Sequence, residues 1–401
     1  MTRGRVAVDL TAPLGTGDLG PESVPIRFVE ALAQHVPDVE FVIVSRAARR
    51  AGARPTRASN LQHMVVPEPG RAQRMWSRLV GRARRSRYSS WASALPTWDD
   101  RRLAKIDADL VLCPFTLSGL AAGSTPVVVA VRDLQHISSP FLLSAAERRS
   151  RAQGYEITWV RASRLVCTTA SVRETALRAS RLPRESAITL APAPLLVGTP
   201  SDVGSAMGMP ARNRLRSGGY LLVSGDFEAR HNHRVLLTAL GMHRATHPEC
   251  DLRLVCAGTP GPGMATLQRT AEVMGLANAL TFASSPTLDE FADLLQNCLA
   301  LVAPWLYETV GEAVLQAMKF GRPILHSGTA DLVELVGSRD GAFDPHTPAT
   351  LVAALERIER DTSWLGHLAQ LARERALGFD EPHTVAHAFA DAILVAAAAP
   401  R

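Results

Sequence analysis

No apolar run in this 401-residue chain approaches the roughly 20 residues that a membrane-spanning helix needs. The first residues, MTRGRVAVDLTAPLG, hold one short apolar stretch that reads as a strand. They lack the longer apolar region and the small-residue cleavage site of a secretory signal. Cysteine is sparse: Cys113, Cys167, Cys250, Cys256 and Cys298, none of them in a C-x-x-C pair. Their spacing matches neither a zinc site nor a small disulfide scaffold. Most sit in apolar stretches such as LVLCPF and LVCAG, where a free thiol behaves as a small core residue. A reducing, cytoplasmic setting, no bound metal and no resident cofactor are the expectations. No repeat of solenoid length is present, and no recognised nucleic-acid-binding motif, so no nucleic-acid partner is expected.

What is present is ordinary for a folded α/β protein. Hydrophobic residues make up 46% and charged residues 20%, which excludes a disordered or fibrous chain. The length favours two domains over one core. Net charge is +6, from 44 basic and 38 acidic residues, and the base is almost all arginine. Its distribution is uneven: Arg71, Arg74, Arg78, Arg82, Arg84, Arg85, Arg87, Arg101 and Arg102 crowd residues 71–102, interleaved with Trp76, Trp91 and Trp98. Such a positive field attracts phosphates and suits peripheral contact with a membrane surface, although a solvated helical face gives the same pattern.

Short β-rich runs alternate with helical stretches along most of the chain. RVAVDL, VEFVIVS, HMVVPE, LVLCPF, PVVVAV, RLVCTT and AITLAP read as strands, with helices over Ser23 to His35 and Ser144 to Ala162 between some of them. Continuous apolar runs separated by helices indicate parallel strands buried on both faces. Residues 191–219 are rich in Pro, Gly and Ser and read as a linker. A second series follows: YLLVSGD, LRLVCAG, LTFASS, LALVAPW and PILHSG, with helices near 233–243, 264–274, 288–296 and 313–319. The stretch 365–398 is helical by pattern and broken at Gly378 and Asp380-Glu381-Pro382. The fold class expected is α/β with two tandem Rossmann-like domains, 1–195 and 196–375, and a C-terminal helix, 376–401, packing back on the first. Ligands of such folds bind at the carboxyl ends of the strands, in the cleft between the halves.

The richest segment for chemistry is PWLYETVGEAVLQAMKFGRPILHSG, residues 304–328. A strand ends at Pro304, a loop carries Glu308 and Gly311, and a helix begins near Glu312. Helix N-termini present unpaired N–H groups and partial positive charge, so the amides of Thr309, Val310, Gly311 and Glu312 are candidates for holding a phosphate. Glu308, just outside, is placed to accept hydrogen bonds from sugar hydroxyls. Gln316 lies one helical turn beyond Glu312 on the same face, where its amide can bond a ribose. Near the start, GTGDLG matches G-x-G-x-x-G. Pro21 and Pro25 follow it, and no acidic residue clearly ends a second strand about 20 residues on, which argues against a nicotinamide enzyme.

Taken together, these residues resemble glycosyltransferase family 4, of GT-B fold. The likeness runs through Pro304, Leu306, Tyr307, Glu308, Gly311, Val314, Leu315, Ala317, Met318, Gly321 and Pro323, and on through Glu334, Val336-Gly337 and Phe343-Asp344-Pro345. In that family two glutamates seven residues apart bracket a glycine loop, the first on the donor sugar and the second on the nucleotide ribose. Here those positions are Glu308 and Gln316, the second a departure. YLLVSGDFEARHNHRVLLTAL resembles the family's next element, whose arginine and lysine hold the donor diphosphate. Gly225, Glu228, Arg230 and Asn232 match, while Asp226 replaces the arginine and His231 the lysine. Arg230 is a partial substitute, since guanidinium pairs well with phosphate. RVAVDL with Gly15, Gly17 and Gly20 resembles the opening strand and glycine loop. PVVVAVRDLQHISSPFLLSAAERR resembles a strand with a His-Asp pair and an acceptor-side helix. Asp133 is kept, Arg132 stands where the histidine usually does, and His136 follows four positions on.

The resemblance implies a retaining transferase that uses a nucleotide-diphosphate sugar and a glycan or lipid-linked acceptor, and needs no metal. Donor contacts fall to Gly15, Gly17, Gly225, Asp226, Arg230, His231, Thr309, Val310, Gly311, Glu312 and Gln316. Glu308, Arg132 and His136 fall near the reacting centre. Asp226, His231 and Gln316 together motivate a second reading, a GT-B protein with impaired catalysis serving as a binding or regulatory partner.

Overall fold

A computed structural model describes residues 4–13, 24–46, 58–66, 105–120, 125–190, 215–379 and 389–391. Gly15, Gly17, the Arg/Trp stretch at 71–102 and linker residues 191–214 lie outside the described residues. The chain divides into two compact units, residues 1–192 with 380–401, and residues 193–379. Both are α/β.

The first unit is built on a seven-stranded sheet ordered β4-β3-β1-β5-β7-β8-β9. Its strands are β1 (Gly4–Asp9), β3 (Val39–Arg46), β4 (Leu61–Val66), β5 (Leu110–Pro114), β7 (Val127–Val131), β8 (Arg164–Cys167) and β9 (Ala187–Thr189), all paired in parallel. The period of two sorts their side chains. Val6, Val8, Leu110 and Leu112 pack on one face with α1 (Val24–His35), through Ile26, Phe28, Val29 and Leu32. Ala7, Val111 and Cys113 face the other side, with α3 (Ala145–Arg161) and α4 (Ala170–Ser180). Burial on both faces explains the continuous apolar runs. α3 starts where the sequence places it: Ser144 and Glu147 close a capping box. Phe389, far along the chain, meets Phe28 edge-on at 4.8 Å.

Two features of this unit were not legible as strands or helices of useful length. β2 (Ala12–Pro13) and β6 (Thr116–Leu117) form a two-residue antiparallel pair, and α2 (Gln135–Ser138) is a single turn. The β2/β6 region is anchored by Asp9, which is fully buried at the end of β1. Its carboxylate accepts hydrogen bonds from the Thr11 amide and hydroxyl (2.9 and 2.6 Å) and from the amides of Gly119 and Leu120 (2.8 and 2.7 Å).

The second unit has a six-stranded parallel sheet ordered β12-β11-β10-β13-β14-β15. The strands are β10 (Tyr220–Ser224), β11 (Arg253–Gly258), β12 (Leu280–Ser284), β13 (Ala300–Ala303), β14 (Ile324–Ser327) and β15 (Ala342–Phe343). Among the described residues seven α-helices connect and flank them: α5 (His233–Thr246), α6 (Pro262–Val273), α7 (Leu288–Asn297), α8 (Glu312–Lys319), α9 (Ala330–Val336), α10 (Pro348–Arg360) and α11 (Thr362–Leu377). Tyr220 and Leu222 join the core under α7, α8 and α9, while Leu221 and Val223 join the core under α5 and α10. The order starts in the middle and grows outward both ways, so β10 and β13 are neighbours that diverge in connection. Such a switch point opens a crevice at the carboxyl ends of the strands.

Asp9 offers a direct check on the first unit. Asp9→Ala strands the amide donors of Thr11 and Leu120, both buried, and of half-buried Gly119, at about 1–3 kcal/mol each. The expected result is a loss of roughly 3 kcal/mol or more, read as an earlier first transition in denaturant unfolding; an unchanged transition would show that Asp9 anchors nothing.

Candidate functional site

The two loops that follow β10 and β13 carry most of the donor-side candidates. Gly225 leaves β10 with φ +136°, a conformation L side chains rarely adopt. A 3-10 turn, Ala229–His231, then leads to Asn232 in the left-handed region, and α5 begins at His233. Asn232 tolerates that conformation, and its amide donates to the Pro304 and Pro345 carbonyls at 3.2 and 2.8 Å. The Leu306 amide donates to the Arg230 carbonyl at 2.8 Å, and Trp305 Nε1 donates to Ser224 at 3.1 Å. From β14, Ser327 Oγ donates to the Trp305 carbonyl at 2.6 Å. The loops at 225–232 and 304–311 are thereby clamped side by side.

Glu308 is the centre of the second loop. One carboxylate oxygen, Oε1, accepts hydrogen bonds from the amides of Thr309 and Val310 at 2.9 Å and of Gly311 at 3.2 Å. Gly311 is the residue before α8, with φ +61°, and a Cβ there would strike Leu335. The backbone therefore curls into a nest of amides at a helix start, a natural anion site. The anion in it is the chain's own carboxylate. Gln316 is buried in α8, 7% exposed, among Val314, Leu315, Ala317 and Met318.

His231 is placed differently from a diphosphate-facing cation. It is 5% exposed, its Nδ1 lies 2.6 Å from the Asp226 carbonyl, and its ring fills the space where a Gly225 Cβ would come within 2.8 Å. It meets Trp305 edge-on at 6.2 Å. Burial, and then the Arg230 charge, lower its pKa against the opposing pull of Glu308 and Asp226, so the ring is neutral near pH 7. Arg230 is the cation of this loop, paired with Glu228 at 3.0 Å. His233 is also buried, and its pKa is pushed down to about 4, chiefly by desolvation.

Arg132, Asp133 and His136 belong to the first unit, just past the end of β7. Asp133 accepts from the Gln135 amide at 2.9 Å and from Arg151 at 2.7 Å, and its carbonyl accepts from Tyr155 Oη at 2.5 Å. His136 stacks on Tyr155 at 4.9 Å, and its buried Nδ1 has no hydrogen-bond partner among the described residues. Burial lowers its pKa more than Asp133 raises it. Arg151 and Tyr155 escaped the sequence reading. Their spacing of four on a helix already read as such was the available signal, because it puts both on one face.

Residues 218–361 match the family described as glycosyl transferases group 1, a span that includes both loops and α8. The fold agrees with it: HepE of Anabaena, solved in complex with UDP and glucose, superposes with a TM-score of 0.68 at 14% identity, over 98% of this chain and 100% of that one.

The chain has the GT-B fold, and its 218–361 span matches the glycosyl transferases group 1 model.

Among curated relatives of this GT-B chain, a D-inositol 3-phosphate glycosyltransferase of Stackebrandtia nassauensis is 30% identical over 178 residues, 42% of this chain and 40% of that protein. The match thus spans about two fifths of that relative's length. A D-inositol 3-phosphate glycosyltransferase of Streptomyces avermitilis is 26% identical over 423 aligned residues, 98% of this chain and 87% of that protein.

The buried histidines make a pH prediction. The gap between about 4 and the ordinary 6.5 for His233 corresponds to roughly 3 kcal/mol. The unfolded chain takes the proton first, so this contribution is complete above about pH 6.5 and is lost as the pH falls towards 4. The thermal midpoint should fall across that window, and the profile of His233→Gln should be flatter there; parallel profiles would contradict the assignment. Gly225→Ala should displace the His231 ring and lower stability by about 1–3 kcal/mol, checked by denaturant unfolding.

Proposed function

We propose that this GT-B protein is an active retaining glycosyltransferase that moves a sugar from a nucleoside-diphosphate donor to a glycan, polysaccharide or lipid-linked acceptor. The observation that carries the reading is the Glu308 carboxylate, pinned by three amides at the start of α8 and held beside the Arg230 loop. A carboxylate fixed through one oxygen is preorganised to orient sugar hydroxyls without losing side-chain entropy on binding. Arg230 takes the diphosphate in exchange for Glu228, and Gln316 serves the nucleotide end. Gly225 and Asp226 contribute backbone beside the phosphates. By the family resemblance, Gly15 and Gly17 are the first unit's donor contacts, and Arg132 and His136 its candidates for the transfer chemistry. Stabilising the charge that develops on the leaving diphosphate is the main catalytic contribution, and no metal takes part.

UDP and glucose in HepE, and the sugar-transfer activities of the curated relatives, support a UDP-linked hexose as donor. The same activities weigh against a chain that has kept only the fold. The setting proposed is cytoplasmic, with peripheral membrane contact through residues 71–102; no described helix is long and apolar enough to cross a membrane.

Calorimetry with UDP, GDP, ADP, CMP and their common sugars tests this on the full chain. One diphosphate should bind in the micromolar range, and its sugar conjugate more tightly. Glu308→Ala should abolish the extra affinity of the sugar and leave the diphosphate nearly unchanged. Arg230→Ala should weaken the diphosphate by about 1.5–3 kcal/mol, roughly 10- to 150-fold. A folded chain that binds none of them would overturn the proposal.

A further inference from the structure

A second cluster of reactive side chains lies at the other end of the second unit. α5 starts beside the donor loops at His233, and His243 follows ten residues later, about 15 Å along the axis. His243 is fully buried, and its Nε2 lies 2.9 Å from Oε2 of Glu359 on α10. Cys250, in the turn before β11, donates its thiol to the other oxygen of Glu359 at 3.1 Å. The His243, Cys250 and Glu359 donor atoms all fall within 4.8 Å of one another. His247, at the end of α5, stacks on His243 at 4.6 Å, and His243, His247 and Glu356 form a second set within the same limit. Glu356 and Glu359 are one turn apart on α10. The nearby cations are turned elsewhere: Arg360 bonds His247 Nε2 at 2.8 Å, and Arg244 bonds the Leu252 carbonyl at 2.9 Å.

The geometry points to a transition-metal site, best matched to Zn²⁺, formed by His243 Nε2, the Cys250 thiolate and the Glu359 carboxylate, with water as fourth ligand. One nitrogen, one sulfur and two oxygens are a borderline donor set of the kind zinc takes. Bond lengths of roughly 2.0–2.3 Å in a tetrahedron put neighbouring donor atoms about 3.3–3.8 Å apart. The separations of 2.9 and 3.1 Å, all inside 4.8 Å, need only small side-chain movements to reach that spacing. Binding releases the thiol proton to solvent, shifts the imidazole proton from Nε2 to Nδ1, and replaces both hydrogen bonds of Glu359. Exposure of Glu359 provides an entry path, while His243 forms the dry wall. The site would tie the end of α5 and the turn before β11 to α10. It lies away from the donor loops, so the ion is structural and takes no part in transfer.

The bland alternative, a metal-free His–Glu–Cys hydrogen-bond trio, is separable by experiment. The full chain is stripped with chelator and titrated anaerobically with Co²⁺ alone. The expected result is one equivalent bound, with a thiolate-to-cobalt charge-transfer band that Zn²⁺ abolishes, and a higher thermal midpoint in the metal-loaded chain. Cys250→Ser and Glu359→Gln, both at partly or fully exposed positions, should fold and bind at least about tenfold more weakly. The exposed neighbour Glu249→Gln should match the parent chain. Absence of the charge-transfer band, or uptake that Cys250→Ser leaves unchanged, would overturn the proposal and leave the hydrogen-bonded trio.

Discussion

The second unit's site depends on one short-range electrostatic contact, the Glu308 carboxylate against three backbone amides. Those amides open α8 and would otherwise point unpaired at whatever lies ahead of the helix. Because the carboxylate is there, the turn through Gly311 is held and α8, which carries the buried Gln316, starts at a defined place. The same loop is fastened from three other directions, by Asn232 onto Pro304, by Trp305 onto Ser224 and by Ser327 onto Trp305. On the proposed function, a donor meeting this surface finds the Glu308 carboxylate already oriented.

This has a consequence for how charge is divided. The amides at Thr309, Val310 and Gly311 are engaged by Glu308, so the proposed function leaves phosphate stabilisation to the 225–232 loop. There the cation is Arg230, because His231 is buried, neutral and turned to its own loop's carbonyl. A lysine could not take that place without burying its charge against Gly225 and Trp305. The replacement of lysine by histidine is therefore a packing solution as much as an electrostatic one, and Asp226 is tied into it through its carbonyl.

The architecture was legible because both sheets are parallel and covered on both faces. That makes PVVVAV, YLLVS and LALVA continuous apolar runs that no exposed element would tolerate. β2 and β6 were not legible, since two residues carry no period, and α10 was passed over. Glu308 was legible as a candidate from its loop and helix start; its hold on the three amides was not, since that depends on backbone curvature. His231 could not be placed inside or outside from sequence, because its neighbours Gly225 and Trp305 come from two strands. Least legible was the His243–Cys250–Glu359 trio. Cysteine spacing gave no hint of it, because its carboxylate stands 116 residues from the histidine and reaches it only through the packing of α10 on α5.

The central claim is that the donor is held by the loops 225–232 and 304–316. Amide hydrogen exchange of the full chain, with and without a saturating nucleoside-diphosphate sugar, tests it most directly. The account predicts protection concentrated in peptides covering those two segments within the second unit, and its loss over 304–316 in Glu308→Ala. Tight binding that leaves both segments unprotected, with protection in other parts of that unit, would contradict it.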